Sequence, residues 1–248
     1  MVPALAGLIG GADAILVFTG AGVSTGSGIP DFRGPEGLWT KRRPIFFDEF
    51  MTSPQARVRY WEEKLADRAA WGAATPNPVH RSIVELEDAG KVLAVVTQNV
   101  DGLHADAGTA ADRLIEIHGT VRFVECMSCH ERTDPGRHFD DFAASGEPPR
   151  CHCTGLLKPA TIPFGQPLRS EDLARAYAAA EGCDLVVSLG STLSVTPAAD
   201  VPLAAARRGV PYAIVNRGPT EHDRVADLRI EGDVVDVVPP AVALVLGT

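Results

Sequence analysis

The 248-residue chain has no apolar run long enough to cross a bilayer, which takes about 20 consecutive apolar residues. It has no internal repeat and no low-complexity linker. With 45% hydrophobic residues it can bury a proper core, which excludes a disordered chain. Lysine is scarce, four residues against nineteen arginines, and the net charge is −9. That deficit of positive charge argues against nonspecific nucleic-acid binding. No basic residue precedes Arg33, so the apolar stretch 2–18, interrupted by Asp13, lacks the charged start of a secretory signal and reads as a helix followed by a buried strand. Cysteine is also sparse. Four of the five sit in two close pairs, Cys126/Cys129 and Cys151/Cys153, and Cys183 reads as a buried apolar residue. Without a secretion signal, such pairs point to a metal site before disulfides, in a cytoplasmic protein.

Short, continuously apolar runs bounded by turn residues read as strands buried on both faces: residues 14–19 (AILVFT), 92–97 (VLAVVT), 114–117, 185–189 (LVVSL), 212–216 (YAIVN) and 227–230. Helical spacing is read over residues 45–65, 81–89, 171–181, 200–208 and the C-terminal stretch. Alternating strands and helices predict an α/β fold, a Rossmann-like doubly wound parallel sheet. The expected division is a Rossmann-like nucleotide-binding domain from residues 1–120 and 158–248, with a helical insertion at about 41–80 and a small metal-binding module at 121–157.

Residues 20–28 (GAGVSTGSG) follow the first strand directly. Glycines there let the backbone turn sharply and approach a pyrophosphate with its N–H groups. Such a loop alone is a weak signal. It also departs from the dehydrogenase fingerprint, because IPDFRG (29–34) follows where a regular helix should run. For the metal, four thiolates are the usual set of a closed tetrahedral zinc. The second pair is CxC, not the commoner CxxC, and the intervening His152 is an alternative ligand. A full ligand set leaves no position for water, so the zinc is expected to be structural.

The run GAGVSTGSGIPDFRG (20–34) resembles the signature of the sirtuins. TQNVDGLH (97–104), EIHG (116–119), LKP (157–159), FG (164–165), GSTLSVTP (190–197) and IVN (214–216) match further sirtuin blocks in family order. The resemblance implies an NAD-dependent protein lysine deacylase acting on an acyl-lysine protein or peptide, without nucleic-acid or membrane partners. It implies that the substrate acyl oxygen attacks C1′ of the nicotinamide ribose, that nicotinamide leaves, and that His118 is the base for the ribose hydroxyl. Asn99 would hold the ribose or a water, and Asp101 with Val100 the nicotinamide carboxamide. Phe32 would cover the reactive face. Asp31 and Arg33 would order the cofactor loop of Gly20, Ala21, Gly22 and Ser24. Gln98, Gly190, Ser191, Thr192, Asn216, Arg217, Asp233 and Val234 complete the expected NAD contacts. Peptide would pair with Phe164, Gly165 and Gln166 on one side and with residues 194–197, including Ser194 and Val195, on the other. Gln166 replaces a common acidic residue.

Sirtuins specialised for acidic acyl groups carry Tyr-x-x-Arg. Here Tyr60 is followed by Trp61-Glu62-Glu63, which argues against that specialisation. Tyr60 and Trp61 read equally well as acyl-channel lining or as helix packing. The runs at 59–61, 76–80 and 218–220 look like the branch linked to lipoyl-type deacylation and ADP-ribosylation. Alternatives are therefore a protein mono-ADP-ribosyltransferase and a non-catalytic NAD or ADP-ribose sensor.

Overall fold

The computed structural model describes residues 1–34 and 37–248, with every side chain among them except those of Trp39 and Lys41. The chain begins with α1 (Val2–Gly11) and β1 (Ile15–Thr19), then α2 (Leu38–Lys41), α3 (Phe47–Thr52), α4 (Pro54–Trp71) and α5 (Pro78–Asp88). Next come β2 (Val92–Thr97), α6 (Leu103–Ala107), β3 (Leu114–Glu116), β4 (Gly119–Cys126), β5 (Arg132–Thr133), α7 (Pro135–Ser145) and β6 (Leu157–Thr161). The chain closes with α8 (Ser170–Gly182), β7 (Leu185–Leu189), α9 (Asp200–Arg207), β8 (Tyr212–Asn216), β9 (Leu228–Glu231) and α10 (Val234–Leu246).

Six strands form a parallel sheet in the order β3-β2-β1-β7-β8-β9. β1 is buried at every position because the sheet is covered on both faces. Its side chains alternate between two cores. Ile15 and Val17 meet Leu5 and Ile9 of α1, Ile83 of α5 and Val242 of α10. Leu16 and Phe18 meet Ala176 and Ala180 of α8 and Val201 of α9. The Rossmann-like expectation holds, and the order reverses between β1 and β7, where such sheets bind ligands at the strands' carboxyl ends.

A second, antiparallel sheet, β5-β4-β6, carries the paired cysteines. Trp61 of α4 locks onto it: its indole N–H donates to the Leu157 carbonyl (3.1 Å), and its ring stands edge-on to Phe139 at 5.1 Å. The single helix expected over 45–65 is two, α3 and α4. Pro54 has no N–H to continue the ladder and holds Ser53 extended (φ −108°, ψ 118°), so Ser53 caps α4 by accepting from the Ala56 N–H (3.2 Å). Helix α7 was hidden in a segment without long apolar runs. Asp134 and Pro135 at its start, Gly146 at its end and the spacing of Phe139 and Phe142 are the signals that mark it. Among the described residues no helix is long and apolar enough to cross a membrane.

The ends of β1 and β2 are braced by a buried polar chain. Thr19 Oγ1 donates to Thr97 Oγ1 (2.8 Å), so the proton between Thr19 and His104 Nε2 (2.9 Å) sits on the histidine. Thr97 Oγ1 also accepts from the Asn99 N–H (3.0 Å), which sets the first residue beyond the strand. The His80 ring stacks edge-on against His104 at 4.8 Å. Burial pushes the His80 imidazole down to about 4 and that of His104 to about 3, so both are neutral when folded. Between pH about 6.5 and about 4 the unfolded chain binds more protons than the folded one. Stability therefore falls as the pH drops through that window, by at most about 1.4 kcal/mol per pH unit for each histidine. Urea melts at pH 7 and pH 5 measure the loss. A His104→Asn protein keeping the full slope would show that these rings are not its source.

Candidate active site

The loop after β1 replaces the regular helix of a dehydrogenase with two short 3-10 turns, Ala21–Val23 and Thr25–Ser27. It can do so because it touches the loop after β7. The Gly22 N–H donates to the Gly190 carbonyl (2.9 Å), and a Cβ on Gly20 would lie 2.7 Å from that same oxygen. Gly190 has φ +60°, and a Cβ there would lie 2.6 Å from the Val23 nitrogen. Backbone must shift to admit it, so Gly190→Ala should cost at least about 2 kcal/mol, from strained φ and overpacking together. Denaturant melts check this, and an unchanged midpoint would mean that the two loops part easily.

These loops open onto a cavity of about 800 Å³. Gly20, Ala21, Gly22, Asp31, Phe32 and Arg33 line it from the first loop, and Gln98, Asn99 and Val100 from the end of β2. Gly190, Ser191, Thr192, Asn216, Arg217, Asp233 and Val234 line it from β7, β8 and the start of α10. Gln98 Nε2 donates to Ser191 Oγ (2.7 Å), so one side chain ties the two halves of the sheet together. Arg217 is ion-paired with Asp233, whose other oxygen caps α10 by accepting from the Val235 N–H (3.0 Å). This glycine cradle, with a cavity at the switch point, fits a dinucleotide.

His118 lies on the connection between β3 and β4, at the cavity wall. Its Nδ1 meets the Gln98 carbonyl at 3.1 Å. A carbonyl only accepts, so Nδ1 carries the proton and Nε2 keeps a lone pair. Burial lowers the pKa of the ring, and the bond to Gln98 partly offsets this. His118 is therefore neutral near pH 7 and able to take a proton. Asn99 is almost fully buried. Its Nδ2 donates to the Gly20 carbonyl and to Ser24 Oγ, both at 3.1 Å, which leaves its carbonyl end to face the cavity.

Two expected contacts lie elsewhere. Ser24 is buried and Asp101 does not line the large cavity. The Asp101 carboxylate accepts from Ser24 Oγ (2.7 Å) and from the Leu103 N–H (2.9 Å), and burial raises its pKa. Together they brace the first loop from behind. Of the expected peptide contacts, Phe164, Gly165, Gln166 and Val195 line the cavity. Ser194 does not: it is exposed, with its hydroxyl on Thr192 Oγ1 (2.9 Å). Tyr60 and Trp61 part company. Tyr60 lines the cavity with its hydroxyl on Thr161 Oγ1 (3.1 Å), whereas Trp61 packs into the cysteine-bearing sheet. Arg42, Ile45, Glu63, Lys64 and Thr161 also line the wall and carry no motif that would have found them.

The four paired cysteines converge, their sulfurs all within 4.8 Å of one another. Cys126 and Cys153 Sγ are 3.5 Å apart, and Cys129 and Cys151 Sγ 3.7 Å. These are not disulfides, which need about 2.05 Å. Tetrahedral zinc with Zn–S of about 2.3 Å sets its sulfurs about 3.8 Å apart, so the donor set fits the metal. His152 lies beside this set, its Nδ1 3.1 Å from the Glu131 carboxylate and 3.5 Å from Cys151 Sγ.

Comparison with known proteins agrees with this geometry. The Sir2 family model matches residues 20–197. The NAD-dependent protein deacetylase 1 of Bradyrhizobium diazoefficiens is 42% identical over 241 residues, 97% of this chain and 95% of the relative. A solved structure concerned with the mechanism and regulation of Sir2 enzymes superimposes with a TM-score of 0.88 at 39% identity, covering 99% of this chain and 98% of the other. A Sir2 complex with a p53 peptide and NAD+ gives a TM-score of 0.84 at 32% identity, covering 100% and 98%. By matched length, by identity and by fold, this chain belongs to the Sir2 family.

Proposed function

We propose that the protein is an NAD-dependent protein lysine deacylase, converting acyl-lysine, NAD and one water to free lysine, nicotinamide and O-acyl-ADP-ribose. The observation that carries this is His118, held neutral with Nδ1 on the Gln98 carbonyl and Nε2 left as a base, in the wall of a cavity shaped for a dinucleotide. Relatives named as deacetylases along nearly the whole chain support it.

Bound NAD supplies the ribose carbon that accepts the acyl oxygen. The backbone N–H groups of Ala21, Ser191 and Thr192 hold the phosphates, those of Gly20, Gly22 and Gly190 being engaged by backbone carbonyls. Asn216, Arg217 and Val234 flank the adenosine. The Asn99 carbonyl orients the ribose or a water, and Val100 meets the carboxamide, while Asp101 braces the loop through Ser24. Phe32 covers the reactive face and blocks the return of nicotinamide. His118 Nε2 then takes the proton of a ribose hydroxyl. Peptide lies as an added strand between residues 164–166 and 194–197. The four cysteines hold zinc as a structural ion.

The same reading divides the chain into a nucleotide-binding body (1–120 and 158–248) and a zinc module (121–157). It also places the protein in the cytoplasm, where free thiols persist.

The test is incubation with NAD and acetyl-, butyryl-, lipoyl- and succinyl-lysine peptides, following products by mass. O-acyl-ADP-ribose with loss of the acyl mass is the expected result, and fast lipoyl turnover would place the chain near the lipoamidase branch. A protein that gains ADP-ribose with no deacylation points to a transferase. Tight NAD binding without nicotinamide release points to a sensor.

A further inference from the structure

The cysteine-bearing sheet holds a second group of metal donors beside the four-thiolate set. Two turns build it. One, at residues 126–131, is closed by the Cys126 N–H on the Glu131 carbonyl (3.0 Å). The other, at residues 151–155, is closed by the Thr154 N–H on the Cys151 carbonyl (2.8 Å) and the Cys151 N–H on the Gly155 carbonyl (3.0 Å). Between them they bring Glu131, Cys151 and His152 together, one donor atom from each, all within 4.8 Å of one another.

The spacings of these atoms are those of ligands. His152 Nδ1 is 3.1 Å from the Glu131 carboxylate and 3.5 Å from Cys151 Sγ, and Cys151 Sγ is 3.7 Å from Glu131 Oε2. Tetrahedral zinc, with Zn–S of about 2.3 Å, Zn–N of about 2.05 Å and Zn–O of about 2.1 Å, sets the nitrogen and oxygen about 3.4 Å apart and the sulfur about 3.6 Å from both. Nδ1 of His152 would be the ligand atom, leaving the ring proton on Nε2.

Charge points the same way. Once Cys151 ligates the structural zinc it is a thiolate, with no proton to give Glu131, so two anions stand 3.7 Å apart. A zinc with four thiolates carries a net charge of about −2, and Glu131 adds to it. Among the described residues no lysine or arginine pairs with Glu131, and the adjacent Arg132 turns to Glu125 instead (Nε to Oε2, 3.3 Å). A cation is therefore wanted where the three donors meet. The sulfur and imidazole select zinc over magnesium or calcium. Glu131 and His152 are both exposed, so water can fill the fourth position and the ion can exchange.

We propose that Glu131, His152 and the shared thiolate of Cys151 bind a second, exchangeable zinc ion at the surface beside the four-cysteine set. This goes beyond the deacylase reading and does not depend on it.

In the test, the protein is desalted until it retains only its tightly held zinc and is then titrated with cobalt(II). Absorbance and metal analysis follow the wild type, His152→Ala and Glu131→Gln, neither of which removes a ligand of the first zinc. The wild type should take up one cobalt per chain, keep its zinc, and show the near-ultraviolet charge-transfer band of a thiolate bound to cobalt. Added zinc should displace the cobalt, and excess magnesium should not. Each variant should bind cobalt at least about tenfold more weakly, since even an outer-shell partner is worth that much, with the first zinc and the melting temperature unchanged. No cobalt uptake, uptake without the band, or equal uptake by the variants would overturn the proposal. Loss of the first zinc as cobalt enters would overturn it too, because a single site would then be exchanging its ion. A protein isolated without any zinc would remove the shared thiolate and the proposal with it. None of these readouts involves turnover, so failure of the deacylase reading would be seen separately, in the peptide assay.

Discussion

His118→Ala should lose deacylation by a factor of about 10²–10⁴, the usual worth of a positioned general base, while still binding NAD and acyl peptide. Truncation removes Nε2 and the bond from Nδ1 to the Gln98 carbonyl, but leaves the glycine cradle between the loops after β1 and β7 in place. The wild-type pH profile carries the same signature. Because burial lowers the His118 pKa below its ordinary value, kcat/KM should be flat near neutrality and should fall only as the pH drops below about 6.5, where the ring takes its proton. Single-turnover rates with matched binding constants separate a base from a structural histidine. If His118→Ala lost NAD affinity in proportion to rate, or retained full rate, the assignment would fail.

Removal of zinc should have the second large effect. Cys126→Ser, or exhaustive chelation, is expected to unfold the three-stranded sheet and lower the melting temperature. A structural zinc contributes about 10–16 kcal/mol of binding free energy to folding in isolated finger peptides. In this chain part of that is cushioned, because Trp61, Phe139, Phe142 and Val124 also hold the sheet to α4. Activity should fall with the fold. The same helix α4 carries Tyr60 into the cavity, and β6 carries its hydrogen-bond partner Thr161. Metal analysis should find about one zinc per chain, as the closed four-thiolate set requires. Fluorescence of Trp61 should shift on chelation as its ring loses Phe139. A zinc-free protein with an unchanged melting curve would show that the cysteines are not a metal site.

The sheet was legible in the sequence because a strand buried on both faces must be apolar at every position, as ILVFT, LVVSL and YAIVN are. The cysteine cluster was legible because paired thiolates separated by a short excursion have few other uses. The helical layer was read less well. Its 45–65 stretch has helical spacing, but a single residue, Pro54, ends one helix and begins the next.

Composition, strand pattern and the blocks at 20–34, 97–104, 116–119 and 190–197 determined by themselves the fold class, the family and most of the nucleotide side of the cavity. These residues act locally: a glycine loop after a strand does its work through its own backbone. What only the tertiary structure decided is which side chains far apart in the chain share a wall. Tyr60 faces the cavity and Trp61 the cysteine-bearing sheet, although they are neighbours on α4. Asp101 turns away from the cavity to hold Ser24, and Arg42, Glu63, Lys64 and Asp67 meet as one neutral cluster. Successive residues on a helix point about 100° apart, so which of them meets the substrate depends on what packs behind the helix, and sequence spacing does not encode that.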